Sequence, residues 1–136
     1  MRVVIDTNLM LTCISRKSHL HWLFQHLLAK RCELCVTTDI LNEYAEIIDR
    51  HMGTALADST LKVILNLSST LRIDTYYKWN LIRDADDNKF VYCAVAANAM
   101  YLISHDRHFD VLKSIPFPKV NVITAESFRA ILADAK

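Results

Sequence analysis

Apolar residues in this chain come in two kinds of run, and the two alternate. Short, largely β-branched or aliphatic runs occur at Val3-Val4-Ile5, which is unbroken, and at residues 33–37, 71–74, 101–104 and 120–123. Continuous runs of this length predict strands covered on both faces, as in a parallel sheet. Between them lie longer segments with apolar residues at helical spacing. The first begins around Leu9 and is interrupted at Ser15-Arg16-Lys17-Ser18. The second spans about 18–30, with Leu20, Leu23, Phe24, Leu27 and Leu28 inward. A third, capped by Thr38 or Asp39, runs to about residue 52 and stops at Gly53, the only glycine. A fourth covers 54–69, with Leu56, Val63, Ile64 and Leu67 inward. Residues 84–100 form a helix apolar nearly all round, which predicts deep packing. A short helix at 107–114 and a closing one at 124–133 complete the series. Residues 75–83 read as irregular and aromatic, and Pro116 and Pro118 bracket a loop.

Strands alternating with helices predict an α/β fold: a three-layer α/β/α sandwich around a mostly parallel five-stranded sheet. The length of 136 residues fits one domain, 1–136. A hydrophobic share of 52% supplies a core without staples. Charge adds one constraint. The net value is only +1, so contact with nucleic acid has to come from a local grouping of cations. Four cysteines (Cys13, Cys32, Cys35, Cys93) sit in apolar segments. Cys32 and Cys35 have CxxC spacing, but no second pair completes a zinc site. Reduced core thiols are expected, and with them a reducing compartment. No signal-peptide pattern and no long apolar span is visible, so a cytoplasmic protein with no membrane contact is expected.

In a parallel sheet, polar groups just past the strands' carboxyl ends face the ligand crevice. Asp6 follows the first strand and Asp106 the fourth. Glu43 stands at the edge of the apolar stripe Ile40, Leu41, Tyr44, Ile47 and Ile48 of the third helix, whereas Glu46 and Asp49 fall on its far side. Asp87 shares a row with Phe90, Val91 and Ala94, and Asp84 lies one turn earlier. Four carboxylates converging on one edge repel one another, and a hard divalent cation such as Mg2+ or Mn2+ is the usual remedy. Asp84, Asp87 and Asp106 are also placed to cap helices, where the dipole favours negative charge. Thr7 and Asn8 could cap the first helix and so free Asp6 for the crevice. Arg107 and His108, directly after Asp106, are placed to contact phosphates at a cleft mouth or to be a solvated helix start. Arg16, Lys17, His19 and His21 read as a basic loop or as ordinary surface. Tyr76, Tyr77 and Trp79 are open to three readings: base stacking, loop anchoring or a dimer patch.

The strand followed by Asp6-Thr7-Asn8, the segment Thr38-Asp39-Ile40-Leu41-Asn42-Glu43, the segment Arg83 to Phe90, and Tyr101-Leu102-Ile103-Ser104-His105-Asp106 together resemble the PIN domain family. The nearest branch is that of the toxin components of toxin–antitoxin systems (VapC-like). The resemblance implies a metal-dependent ribonuclease that hydrolyses phosphodiesters with metal-activated water, leaving a 5′-phosphate and a 3′-hydroxyl. It carries Asp6, Glu43, Asp87 and Asp106 over as the acids holding one or two Mg2+ or Mn2+ ions. Thr7 and Asn8 complete the first motif, and Ser104 becomes a hydrogen-bond partner of the acids. Asp84 is an additional site residue or a cap, and the runner-up for the third acid. An RNA substrate, a cognate antitoxin protein and a homodimer are implied as partners. Many relatives have glycine where this chain has Asn98-Ala99. The alternative reading is a PIN-like interaction or RNA-binding module without nuclease activity. A phosphatase of the haloacid-dehalogenase type would need an acid where Asn8 stands, and one glycine cannot build a phosphate-cradling loop.

Overall fold

Val3, Val4 and Ile5 are completely shielded from solvent, although successive residues of a strand face opposite ways. The first strand, β1 (Arg2–Ile5), is therefore covered on both faces. It is the centre of the fold. The computed structural model describes residues 1–135, and the statements below concern these. After β1 come α1 (Thr7–Ile14), α2 (His21–Leu28), β2 (Glu33–Val36), α3 (Thr38–Met52), α4 (Thr54–Asn66) and β3 (Thr70–Arg72). Then follow α5 (Asn88–Ala97), β4 (Tyr101–Ile103), a 3₁₀ helix (Arg107–Ser114), β5 (Val122–Ile123) and α6 (Ala125–Asp134). The five strands make one sheet in the order β3-β2-β1-β4-β5, and every pairing is parallel.

That order decides where a ligand can sit. The chain moves outward from β1 to β3, then returns to the other side of β1 with β4. The carboxyl ends of β1 and β4 thus flank the point where the winding reverses, where open α/β sheets leave a crevice. Ile5 pairs with Ile103, so Asp6 and Ser104 begin the two connections at one level.

Local chemistry explains most element ends. Asp6 caps α1, accepting from the Leu9 amide at 2.8 Å. Thr37, not Thr38 or Asp39, caps α3, its hydroxyl accepting from the Ile40 amide at 3.2 Å. Gly53, at φ +94°, ends α3 and starts α4 in a conformation L side chains avoid. Asn98 ends α5 in the left-handed region at φ 51°, which asparagine tolerates better than most residues.

Three expectations change. The helix predicted over 84–100 covers only Asn88–Ala97. Residues ahead of it fold as a turn, in which Asp84 accepts from the Asp86 amide at 3.0 Å and caps no helix. In α4 the inward row is Ala57, Thr60 and Ile64, while Leu56 and Val63 are about 40% exposed (42% and 41%). The outer strands are also shorter than predicted, β3 ending at Arg72 and β5 starting at Val122.

Candidate active site

Asp6 is buried, with 5% of its surface exposed. Both of its oxygens are held. Oδ1 accepts from the Leu9 amide, and Oδ2 accepts from the Ser104 hydroxyl. Ser104 in turn accepts from the Asp106 amide at 2.9 Å, so one buried hydroxyl ties the end of β1 to the turn after β4. Asp106 caps the 3₁₀ helix through the His108 amide, again at 2.9 Å. Beneath this, the Tyr44 hydroxyl of α3 donates to the Ile5 carbonyl. That bond fixes the last residue of β1 before Asp6 and is fully enclosed.

Glu43 reaches the same place from α3. Its Oε2 accepts from the Thr7 hydroxyl and its Oε1 from Lys89 at 2.8 Å, an ion pair about four-fifths buried. Asp87, at the start of α5, receives the His108 ring nitrogen Nδ1 at 3.2 Å. The same nitrogen stands 3.5 Å from Asp106. Asp6, Glu43, Asp87 and Asp106, with Thr7 and Asn8, line a single cavity of about 140 Å³.

The electrostatics follow from this crowding. Burial pushes the Asp6 carboxyl above its usual range, against the hydrogen bonds from Ser104 and Leu9, and the charges of Asp106 and Asp87 push it further. Burial likewise raises Asp87, opposed by the His108 hydrogen bond and helped by Asp84 and Asp106. The hydrogen bond to Asp87 and the charge of Asp106 raise His108 in return. Burial works against the Lys89 ammonium, yet its bond to Glu43 and that residue's charge hold it above the ordinary value.

A PIN domain family model matches residues 2–108, most of the chain and all four acids. The chain belongs to the PIN domain family. Its fold resembles that of VapBC2 from Rickettsia felis, solved bound to a DNA fragment from their promoter. The identity is 20% and the TM-score 0.63, over 91% of this chain and 98% of the other. It also resembles the PIN domain of RRP44 from T. brucei, with 12% identity and a TM-score of 0.52 over 98% and 81% of the two chains. No curated protein matches in sequence.

PIN domains are generally dependent on divalent metal, and the residues present fit such an ion. The donors are carboxylate oxygens, suited to Mg2+ or Mn2+ rather than to a soft metal. Like-charge repulsion contributes to raising Asp6 and Asp87, which a cation would relieve. Lys89 and His108 are the protein's own partial compensation for the same charge. Among the described residues, the tight grouping of ligand atoms is Asp84, Asp87 and His108, all within 4.8 Å of one another. This grouping includes the runner-up acid beside Asp87 and lies at the cleft's outer side.

Not every residue singled out in the sequence reaches this PIN cavity. Asn8 does line it, from an exposed position, and also lines the adjoining hollow with His19 and His105. Arg107 lines a different hollow, shared with Asp106, Asp110 and Lys113, so the cations paired with the cavity's acids are His108 and Lys89. Thr7 bonds Glu43, a role beyond completing a motif. Lys89 and Tyr44 were not anticipated. Lys89 was visible as the only cation among the acids of 84–89, two residues past Asp87. Tyr44 gave no signal, because in the apolar stripe it counts as a ring and not as a hydroxyl.

Proposed function

We propose that this PIN domain is a metal-dependent ribonuclease and the toxin of a toxin–antitoxin pair. The observation that carries the reading is the convergence of Asp6, Glu43, Asp87 and Asp106, from four separate parts of the chain, on one cavity at the reversal point of the sheet. These four acids, with Asp84 as an outer neighbour, would hold Mg2+ or Mn2+. When bound, such an ion supplies positive charge to a phosphodiester and makes water acidic enough to serve as nucleophile near neutral pH.

The protein's own residues then have definite tasks. Leu9 and Ser104 fix the Asp6 carboxylate so that it need not reorganise, and Ser104 keeps Asp106 in register with it. Thr7 aims one oxygen of Glu43, and Lys89 holds the other. His108, protonated more readily than an ordinary histidine, sits where it can face a phosphate that approaches Asp87 and Asp106. The products would carry 5′-phosphate and 3′-hydroxyl ends. The likeness to VapBC2 supports an antitoxin partner, and family kinship supports a homodimer working in the cytoplasm. Among the described residues no helix is long and apolar enough to cross a membrane.

The pairing of Lys89 and His108 with the acids favours a second reading, an RNA-binding PIN module without cleavage, since those cations already offset the acidic charge. Incubating the protein with RNA, with and without EDTA, separates the two. The nuclease reading expects shortened RNA with 5′-phosphate ends that EDTA prevents. RNA retained intact with saturating Mg2+ and Mn2+ would leave the module.

A further inference from the structure

Three aromatic rings, Tyr77, Trp79 and Phe117, gather outside the acidic cavity, where the 73–83 loop meets the 115–120 loop, and Tyr76 precedes them in the chain. Tyr76 is 94% exposed, Phe117 79% and Tyr77 66%. Trp79 is the fixed member, partly buried against the core. The Tyr77 ring centroid lies 4.5 Å from that of Trp79, and Phe117 meets Trp79 edge-on at 5.9 Å. Rings this large left in water mark a contact surface, because burying them inside the fold would have been favourable.

Charge identifies the occupant. The 73–83 loop contains Lys78 and Arg83 against one acid, Asp74, and residues 115–120 contain Lys119 and no acid. The whole chain, by contrast, balances 16 cations against 15 acids. Protein interfaces deplete lysine around their apolar centres. Cations interleaved with open ring faces instead suit a strand whose phosphates and unpaired bases are both available. A duplex keeps its base faces stacked internally.

The loop also leads to the acids. Lys78 lines the hollow that contains Glu43 and Lys89. The amides of Leu81 and Ile82 both donate to the Asn88 side chain, at 3.1 and 2.9 Å, and Asn88 returns a bond to the Ile82 carbonyl at 2.9 Å. Asn88 is buried and directly follows Asp87, so the loop and that acid are held by one anchor. Arg83 borders a second hollow with Asp84 and His108.

We infer that Tyr77, Trp79 and Phe117 form a stacking platform for the unpaired bases of single-stranded RNA, with Lys78, Arg83 and Lys119 facing its phosphates. The platform is a base-binding subsite of the proposed nuclease and rests on that reading for the identity of the strand as RNA.

The chain has two tryptophans, so Trp22→Phe leaves Trp79 as the sole indole reporter. This protein is titrated in EDTA with a ten-nucleotide single-stranded RNA, and separately with the same strand annealed into a duplex. The single strand is expected to quench Trp79 at concentrations where the duplex does nothing. Adding Tyr77→Ala and Phe117→Ala should weaken binding about tenfold or more, as loss of stacking does, while thermal unfolding stays near wild type because both rings are exposed. Equal binding by the ring-less variant, or equal quenching by the duplex, overturns the platform. So does a shift from dimer to monomer in light scattering on removal of the rings without loss of RNA binding, which would give them to a second copy. The two proposals fail separately. If the protein never cuts RNA but binds single strands through the rings, the nuclease falls and the platform stands. If it cuts and the ring-less variant cuts with unchanged KM, the platform falls and the nuclease stands.

Discussion

Each oxygen of the Asp6 carboxylate accepts one hydrogen bond and retains a second acceptor position. Capping α1 and lining the cavity are therefore compatible, although sequence reasoning sets them against each other by treating a cap as the alternative to a site. The same holds for Asp106, which caps the 3₁₀ helix and still borders the cavity. Asparagine keeps an oxygen for the Leu9 amide, so Asp6→Asn should fold normally by circular dichroism and melt no lower than wild type without metal. Mn2+ should raise the melting temperature of wild type, by linkage of order 3 kcal/mol at a hundredfold excess over Kd, and leave Asp6→Asn unmoved. Tyr44→Phe tests the support beneath the site. It leaves the Ile5 carbonyl without that enclosed donor and should cost about 1–3 kcal/mol in urea unfolding.

At the scale of elements, legibility depended on what terminated each one. Strand cores and the α3 stripe could be read because β-branched runs and 3.6-residue spacing carry their own signal. The start of α5 could not, because the acids of 84–87 look like a helix's first turn and yet form a separate turn closed by Asp84. In α4 the eye goes to Leu56 and Val63. The helix instead packs its smaller residues, Ala57 and Thr60, against its neighbours, where close approach favours small side chains. At the end of α5 Asn98 takes the left-handed conformation, at φ 51°. Asn98→Gly should be neutral or slightly stabilising. Asn98→Val should cost roughly 1–2 kcal/mol, because a β-branched residue resists that conformation. Equal stability of the two variants would contradict this account of the turn.

For the whole molecule, the sheet order turns scattered residues into a site. The α/β class and five strands were legible, and so was the grouping of acids on one edge. The pairings of Lys89 with Glu43 and of His108 with Asp87 were not, since the partners come from other elements and depend on side-chain reach. The thiols follow from depth. Burial raises Cys13 and Cys93 to about 12 and Cys32 and Cys35 to about 11. Native protein at pH 8 should resist a thiol reagent at all four positions and react fully once unfolded. Because the folded thiols keep protons that the unfolded ones lose, their contribution to stability is intact below about pH 9 and declines as pH rises through 11 and 12. Rapid labelling of the native protein would contradict it.

The acidic cavity is the centre of the account, and the most direct test compares RNA cleavage by wild type and Asp6→Asn, both with saturating Mn2+ and matched for folding. The account predicts that wild type cuts and that the substitution reduces the rate by at least about a hundredfold, the loss typical when a charge-stabilising group is removed. Cleavage by Asp6→Asn at the wild-type rate would show that the chemistry, if any, lies elsewhere.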